Sequence, residues 1–378
     1  TQFSTTTKLT GKATFVIGAN SYGGNAQIPA LGAGTFKELA RSVQGATVFN
    51  YDIQLNFDTS FTGKDLLRTR LRAGNFAQSA FGGPLVGLNA LEAGFEEDDG
   101  EDVVGINRLF YQFPIGSGFT ATIGGRVRQD DMLAVWPSAY PADTVLDIFT
   151  YAGAPGTYSL NLGSGGGLWW KSGGFSISAN YVSANGQNGS PDLNNAPDCG
   201  GIGNACSQQT GTAQIAYTGS NFGIAAAYTY TSGGGLAGLY AGNGTPLAVN
   251  LMSAADSTNS VGISAYWQPS NSGWIPSISA GWGINSNQYN GSIITPFTSV
   301  VSTTGITKAT SQSWYVGLQW DDVFIKGNSF GMAVGQPTFF TKSGDDDVIE
   351  ANDGNYAWEW WYKFQVTDNI SVTPAVFY

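Results

Sequence analysis

Histidine is missing altogether from the 378 residues, and charge is scarce: only 11% of the chain is Asp, Glu, Lys or Arg, against about 25% in an ordinary globular domain. Without histidine there is no Ser-His-Asp or Cys-His nucleophile and no imidazole metal ligand. The Ser-His pair of outer-membrane hydrolases is excluded with them. No run of about 18 apolar residues occurs, so no transmembrane helix is encoded. Cysteine is limited to Cys199 and Cys206, in a Gly/Asn/Ser-rich segment. Their closeness suggests one small disulfide loop in an oxidising compartment; two free thiols or a metal pair are the alternatives. Basic residues are outnumbered 16 to 27, a net charge of −11, which argues against nucleic acid as a partner. The glycine run Gly163–Gly167 is no phosphate loop, because no Lys-Ser/Thr follows it. No cofactor is implied. No signal peptide is visible at Thr1, so the chain reads as a mature or trimmed form.

What is abundant is glycine, at 53 residues, and aromatic side chains, at 13%. That mixture suits a protein showing aromatics to lipid and polar groups to water at alternating positions. A secreted β-rich sandwich or lectin is the alternative. The decisive stretch is Leu66–Ala73, Leu-Leu-Arg-Thr-Arg-Leu-Arg-Ala. Its three arginines, Arg68, Arg70 and Arg72, fall at a spacing of two, which puts them on one face of a β-strand. A soluble core does not bury three arginines without a carboxylate for each. The economical reading is a strand with water on one side and an apolar medium on the other.

The same alternation recurs. In Val48–Phe57, Phe49, Tyr51, Ile53, Leu55 and Phe57 alternate with Asn50, Asp52, Gln54 and Asn56. Gly105–Phe113 places Arg108 inward, Phe119–Arg128 places Arg126 and Arg128 inward, and Tyr356–Val366 places Glu359, Trp361 and Lys363 inward. Fifteen such segments, Tyr158–Trp170 among them, run from Lys8–Asn20 to Ile370–Tyr378. Short links, near 59–63, 114–118, 171–174, 219–221, 268–273, 321–327 and 367–369, alternate with long ones. The expected fold is therefore all-β: a transmembrane antiparallel up-and-down β-barrel of sixteen strands, fifteen of them visible, with long extracellular loops. An even count is required because an unpaired edge cannot sit in lipid; fourteen strands with one false segment is the rival. The first link is long, so the N-terminus enters from the periplasm. Residues 1–7 read as a linker from an upstream periplasmic region and 8–378 as the barrel.

Two end segments carry a family resemblance. Thr1-Gln2-Phe3-Ser4-Thr5-Thr6-Thr7-Lys8-Leu9-Thr10-Gly11 resembles the start of the barrel in cyanobacterial outer-membrane porins. Lys363-Phe364-Gln365-Val366-Thr367-Asp368-Asn369-Ile370-Ser371-Val372-Thr373-Pro374 resembles their penultimate hairpin. These are akin to the carbohydrate-selective, OprB-like porins. The resemblance implies a homotrimer of channels in outer-membrane lipid. It also implies a wall-gripping S-layer-homology domain upstream and a segment beyond the Thr-Pro motif; neither lies within these 378 residues.

A sixteen-strand barrel leaves an aqueous channel, which porins narrow with an inward-folded loop, usually the third. Here that link runs from about Gln129 to Thr157 and carries Asp130, Asp131, Asp143 and Asp147, with Leu146 and Phe149 expected to pack it against the wall. These acids are expected to face a wall of Arg68, Arg70, Arg72, Arg108, Arg126 and Arg128, a transverse field that tunes ion choice. Asp52, Glu359 and Lys363 complete the candidate lining. The opposing reading is that the arginines pair with Asp52, Asp58 and loop acids and only hold the loop. Two acidic runs, Glu92–Asp102 and Asp345–Asp353, read as solvated loop surface or a cation-attracting mouth, and inward Trp361 as a stacking platform for a sugar or as packing. The expected function is a passive channel for inorganic ions and small polar solutes. The alternatives are a sugar-selective channel with a saturable site, or a tether between outer membrane and wall.

Overall fold

The computed structural model describes residues 6–24, 35–95, 100–141, 145–195, 198–233, 243–271, 273–289, 307–343 and 354–378. Asp143, the whole 345–353 acidic run and residues 96–99 of the other lie outside them.

Among the described residues sixteen strands form a single antiparallel meander in which the first fifteen each pair with their neighbours in sequence and the last pairs with the fourteenth. They are β1 (Thr7–Gly18), β2 (Val48–Thr59), β3 (Leu66–Gly74), β4 (Gly105–Ile115), β5 (Phe119–Arg128), β6 (Leu162–Ser172), β7 (Phe175–Ser183), β8 (Gln209–Thr218), β9 (Phe222–Ser232), β10 (Ser257–Trp267), β11 (Ser277–Gln288), β12 (Lys308–Asp321), β13 (Ser329–Ser343), β14 (Ala357–Thr367), β15 (Ile370–Val372) and β16 (Ala375–Phe377). The links alternate short and long, as the punctuation of the sequence implies. β15 and β16 take successive stretches of one edge of β14. They are the two halves of a fifteenth pass, broken at Thr373-Pro374, where proline has no N–H to give the ladder.

The sheet curls until its two ends share a residue. Phe81, in the second long link, lies over Gly18 of β1 and against Phe377 of β16, ring centroids 6.4 Å apart. Each strand is apolar outside and polar inside. In β9, Phe222, Ile224, Tyr228 and Tyr230 are exposed while Ala225, Ala227, Thr229 and Thr231 are buried. That inverts the rule for a soluble sheet and fits a lipid-facing outer surface. No helix among the described residues is long and apolar enough to cross a membrane.

Two helices sit in long links. α1 (Phe36–Gln44) opens on a capping box between Thr35 and Glu38. α2 (Pro246–Ser253) has Thr245 as its N-cap and proline in its first turn, and packs Leu251 and Met252 against Tyr289 and Phe340. The 232–256 segment reads as plain loop in sequence; its only helix signal is the Thr-Pro start. Cys199 and Cys206 form a disulfide with Cα atoms 5.4 Å apart. The Asn185 amide donates to the carbonyls of both cysteines, 3.0 Å each.

Candidate functional site

The arginine strand sets the site. β3 pairs with β2 so that Arg68 stands opposite Asp58 and Arg70 opposite Asn56. Arg68 grips Asp58 with two bonds of 2.8 Å. Arg72 reaches along the strand to Asp52 (2.7 and 3.2 Å) and lies over the Phe95 ring, 3.9 Å from its centroid. Arg70 instead donates to the neutral amide oxygen of Asn56 (2.6 Å). On the other side Arg70 stands directly opposite Arg108 of β4, a pairing of like charges that a sheet tolerates only when each is turned to a partner. Arg108, 1% exposed, turns to Asp131 (2.7 Å) and to the backbone and side-chain oxygens of Asn107. Arg128 closes on Asp130 with two bonds of 2.6 Å.

Asp130 and Asp131 lie in the 3₁₀ turn Gln129–Met132 that begins the third long link. The root of the inward link is thereby strapped to the wall by two arginine–aspartate pairs. Burial opposes ionisation of Asp130, but the Arg128 guanidinium outweighs it and holds the carboxyl below its usual range.

Beyond its root the link crosses the interior and lies on the far wall. The Oγ of Ser279 accepts from the backbone N–H groups of Ala139 and Tyr140 (2.9 and 3.0 Å). Ser264 and Ser313 donate to the carbonyls of Ala152 and Gly153 (2.8 and 2.9 Å). The wall is glycine where the link presses hardest: a Cβ at Gly281 would collide with the Ala152 carbonyl. Leu146 and Phe149 pack into a cluster with Tyr140, Tyr315 and Trp361, the packing against the wall that the sequence suggests. The second link joins the third by backbone bonds, Glu92 N–H to Val145 O and Asp147 N–H to Ala90 O, 3.0 Å each.

Between these two links and the arginines lies a cavity of about 520 Å³, lined by Arg72, Arg108 and Arg128 together with Asp130, Asp147, Trp136 and Tyr151. Asp147 bonds to the Tyr151 hydroxyl (2.9 Å). Burial pushes its carboxyl up to about 6, and nearby Glu92 adds to the rise.

Sequence parity thus assembles Arg68, Arg70, Arg72, Arg108, Arg128, Asp52, Asp130, Asp131 and Asp147 around one region, and both readings of the arginines apply there. Arg72, Arg108 and Arg128 line the cavity, and four of the five arginines are ion-paired. Three other expected lining residues, Arg126, Glu359 and Lys363, do not line the cavity. Arg126 stands opposite the outward Leu109, because the ladder shifts at Gly124 and breaks step. Glu359 is on the inner face but fully buried beneath the third link, so it does not line the cavity. Lys363 is on the same parity of β14, opposite Ser329, and is not part of the cavity wall. Trp361 is buried packing, its indole N–H on the Tyr140 hydroxyl (2.9 Å). Trp136, Tyr151 and Phe95 escaped notice in the sequence, since aromatics in irregular links carry no periodic signal. Tyr158 was expected to open a strand, but β6 starts at Leu162, after Leu160 at a φ of 54°.

A meander with alternately short and long links, apolar outside and polar inside, with one long link folded through it, is the architecture of an outer-membrane porin. Comparison with known proteins agrees. The family model for "Carbohydrate-selective porin, OprB family" matches residues 1–378, and the chain belongs to that family. An uncharacterised protein of Synechocystis sp., sll0772, is 28% identical over 347 residues, covering 87% of this chain and 59% of the relative. Another of Nostoc sp., alr4550, is 27% identical over 417 residues, covering 99% and 62%. The chain therefore spans about three-fifths of the curated relatives it matches. Among solved structures, Pseudomonas putida OprB superposes with a TM-score of 0.56 at 10% identity, covering 99% of this chain and 89% of that one. A variant of a Rh. blastica porin gives 0.50 at 11% identity, covering 98% and 94%. At such identities the likeness is one of fold. Family and fold are those of a channel rather than an enzyme.

Proposed function

We propose that this protein is a passive outer-membrane diffusion channel for inorganic ions and small polar solutes, narrowed between the arginine strands and the third link. The observation that carries the reading is the cavity whose lining brings Arg72, Arg108 and Arg128 together with the link acids Asp130 and Asp147. Solutes cross down their gradients, and no covalent chemistry is involved. Four arginines are matched by carboxylates, so the field at the constriction is weak. Arg70, which donates to the neutral amide oxygen of Asn56, tips it toward anions. The N-terminus faces the periplasm, residues 1–7 lead in from an upstream region that tethers the protein to the wall, and three copies assemble in the membrane.

The family description favours a second reading, a sugar-selective channel. Trp136, Tyr151 and Phe95 beside the arginines offer ring faces and donors for a saccharide. Single-channel recording in planar bilayers separates the two. An ion channel keeps its current when a neutral sugar is added; a sugar channel loses it saturably. In a salt gradient, Arg70→Ala is expected to shift the reversal potential toward cations. An unchanged reversal potential would overturn the arginine constriction.

A further inference from the structure

On the wall opposite the arginines, a single buried carboxylate holds the third link at two points. Glu359 of β14 is fully buried. One carboxylate oxygen accepts from the Tyr140 hydroxyl (2.7 Å), and the other from the Leu146 backbone N–H (2.6 Å). The Tyr140 hydroxyl in turn accepts from the Trp361 indole N–H (2.9 Å). Tyr140, Leu146 and Trp361 are all buried. The Tyr140 ring packs closely on Gly317, where a Cβ would collide with it.

We infer that Glu359, with Tyr140 and Trp361, is the positioning latch that fixes the third link and so sets the width of the constriction. The inference rests on the reading that this link narrows the channel. Its logic is that of charge-assisted hydrogen bonding: a buried carboxylate leaves a large desolvation cost unless its acceptors are filled. Both donors named here come from the link, so moving the link away costs the carboxylate two of its hydrogen bonds. Burial also pushes the Tyr140 phenol well above its ordinary range, so it remains a donor at every physiological pH. The link is expected to be a fixed wall element rather than a gate. Between its root at Asp130 and Asp131 and this latch, its span is held at both ends.

The test uses the full chain in planar bilayers, with Glu359→Ala, Tyr140→Phe and Glu359→Gln. Removing the carboxylate or the hydroxyl is expected to raise the detached-link population by roughly tenfold or more, the worth of a charge-assisted bond. It is read as open-channel current noise and as faster protease cleavage within the link. Glu359→Gln, which keeps one acceptor but sets an amide donor against one of the two donors, is expected to fall between. Reversal potential in a salt gradient is expected to stay native in all three, because the arginine cluster is untouched. Quiet, native currents together with native cleavage in assembled Glu359→Ala channels would overturn the latch. Should that variant not assemble, the same two readings on Tyr140→Phe, which deletes one oxygen and keeps the ring, decide the matter. The two proposals fail separately: the arginine constriction fails on Arg70→Ala, and the latch fails here.

Discussion

The two halves of the inner wall are built on opposite principles. On β2–β5 the inward side chains are long and charged, and each charge is met within a few ångströms by a partner. On β7–β12 they are Ser, Thr, Asn and Gly, nearly all buried beneath the third link. The reason is what each half must face. A wall that borders water can keep guanidinium groups, provided each is hydrogen-bonded. A wall that takes a folded backbone must be shallow, and must offer one small donor or acceptor per peptide group of the link. Ser264, Ser279 and Ser313 do that for Ala152, Ala139, Tyr140 and Gly153. The channel is thus defined by asymmetry. The neutral half holds the plug, and the charged half faces what is left.

The comparison predicts that a change on the charged half is read through unpaired charge, and one on the neutral half through displaced backbone. The largest effect is expected from Asp131→Ala. It leaves Arg108 almost wholly buried beside Arg70 with no carboxylate, and breaking a buried pair costs about 3–5 kcal/mol. The Arg128 N–H, which also bonds to Asp131 (3.0 Å), loses its acceptor. The expected outcome is a barrel of clearly lower melting temperature with a disordered link root, measured by thermal denaturation in detergent. A native melting temperature would show that the pair is not what holds the root. Next in size is Gly281→Leu on the neutral half. The side chain would occupy the place of the Ala152 carbonyl, and overpacking of this kind costs about 1–3 kcal/mol. Its main effect is expected on single-channel conductance, which changes as the link is pushed toward the arginines, with selectivity kept. Native conductance would mean that the link does not rest on this strand.

The strands and the alternation of link lengths were legible because a period of two survives any amount of sequence change on either face. So was the arginine row, and so were Leu146 and Phe149 as the packing face of the third link. What could not be read is pairing across the sheet. That Arg70 meets Asn56 while its neighbours meet aspartates depends on register, which no single strand reveals. Arg126 misled because one irregularity near Gly124 is invisible in a Gly-Gly pair that looks like ordinary strand. Glu359 was placed on its true face, but whether water or a buried tyrosine waits there depends on the path of a link 200 residues away in sequence. α2 was lost because eight residues are too few for a periodic signal to stand out from loop.

The subtlest test lies where the halves meet. Asp147 belongs to the plug yet lines the cavity, and burial holds its carboxyl at about 6 instead of 3.8. Charged and titratable groups around it push both ways: Glu92 raises it further, while Arg128 and the Tyr151 and Thr150 hydroxyls lower it. The sign follows from linkage. The folded state binds the proton more tightly than the unfolded chain, so this group's contribution favours the fold at low pH. That contribution is lost as pH rises from about 4 to about 6 and is constant above. Around pH 6, where the native carboxyl itself titrates, the cavity gains one negative charge. The reversal potential is expected to drift toward cations between pH 5 and pH 7, by less than the Arg70→Ala shift, because Arg128 stands close enough to offset part of the new charge. Asp147→Asn is expected to abolish the drift and to hold the low-pH value throughout. If the variant titrates like the parent, the charge that matters lies elsewhere in the links, and the boundary between the two halves does not run through Asp147.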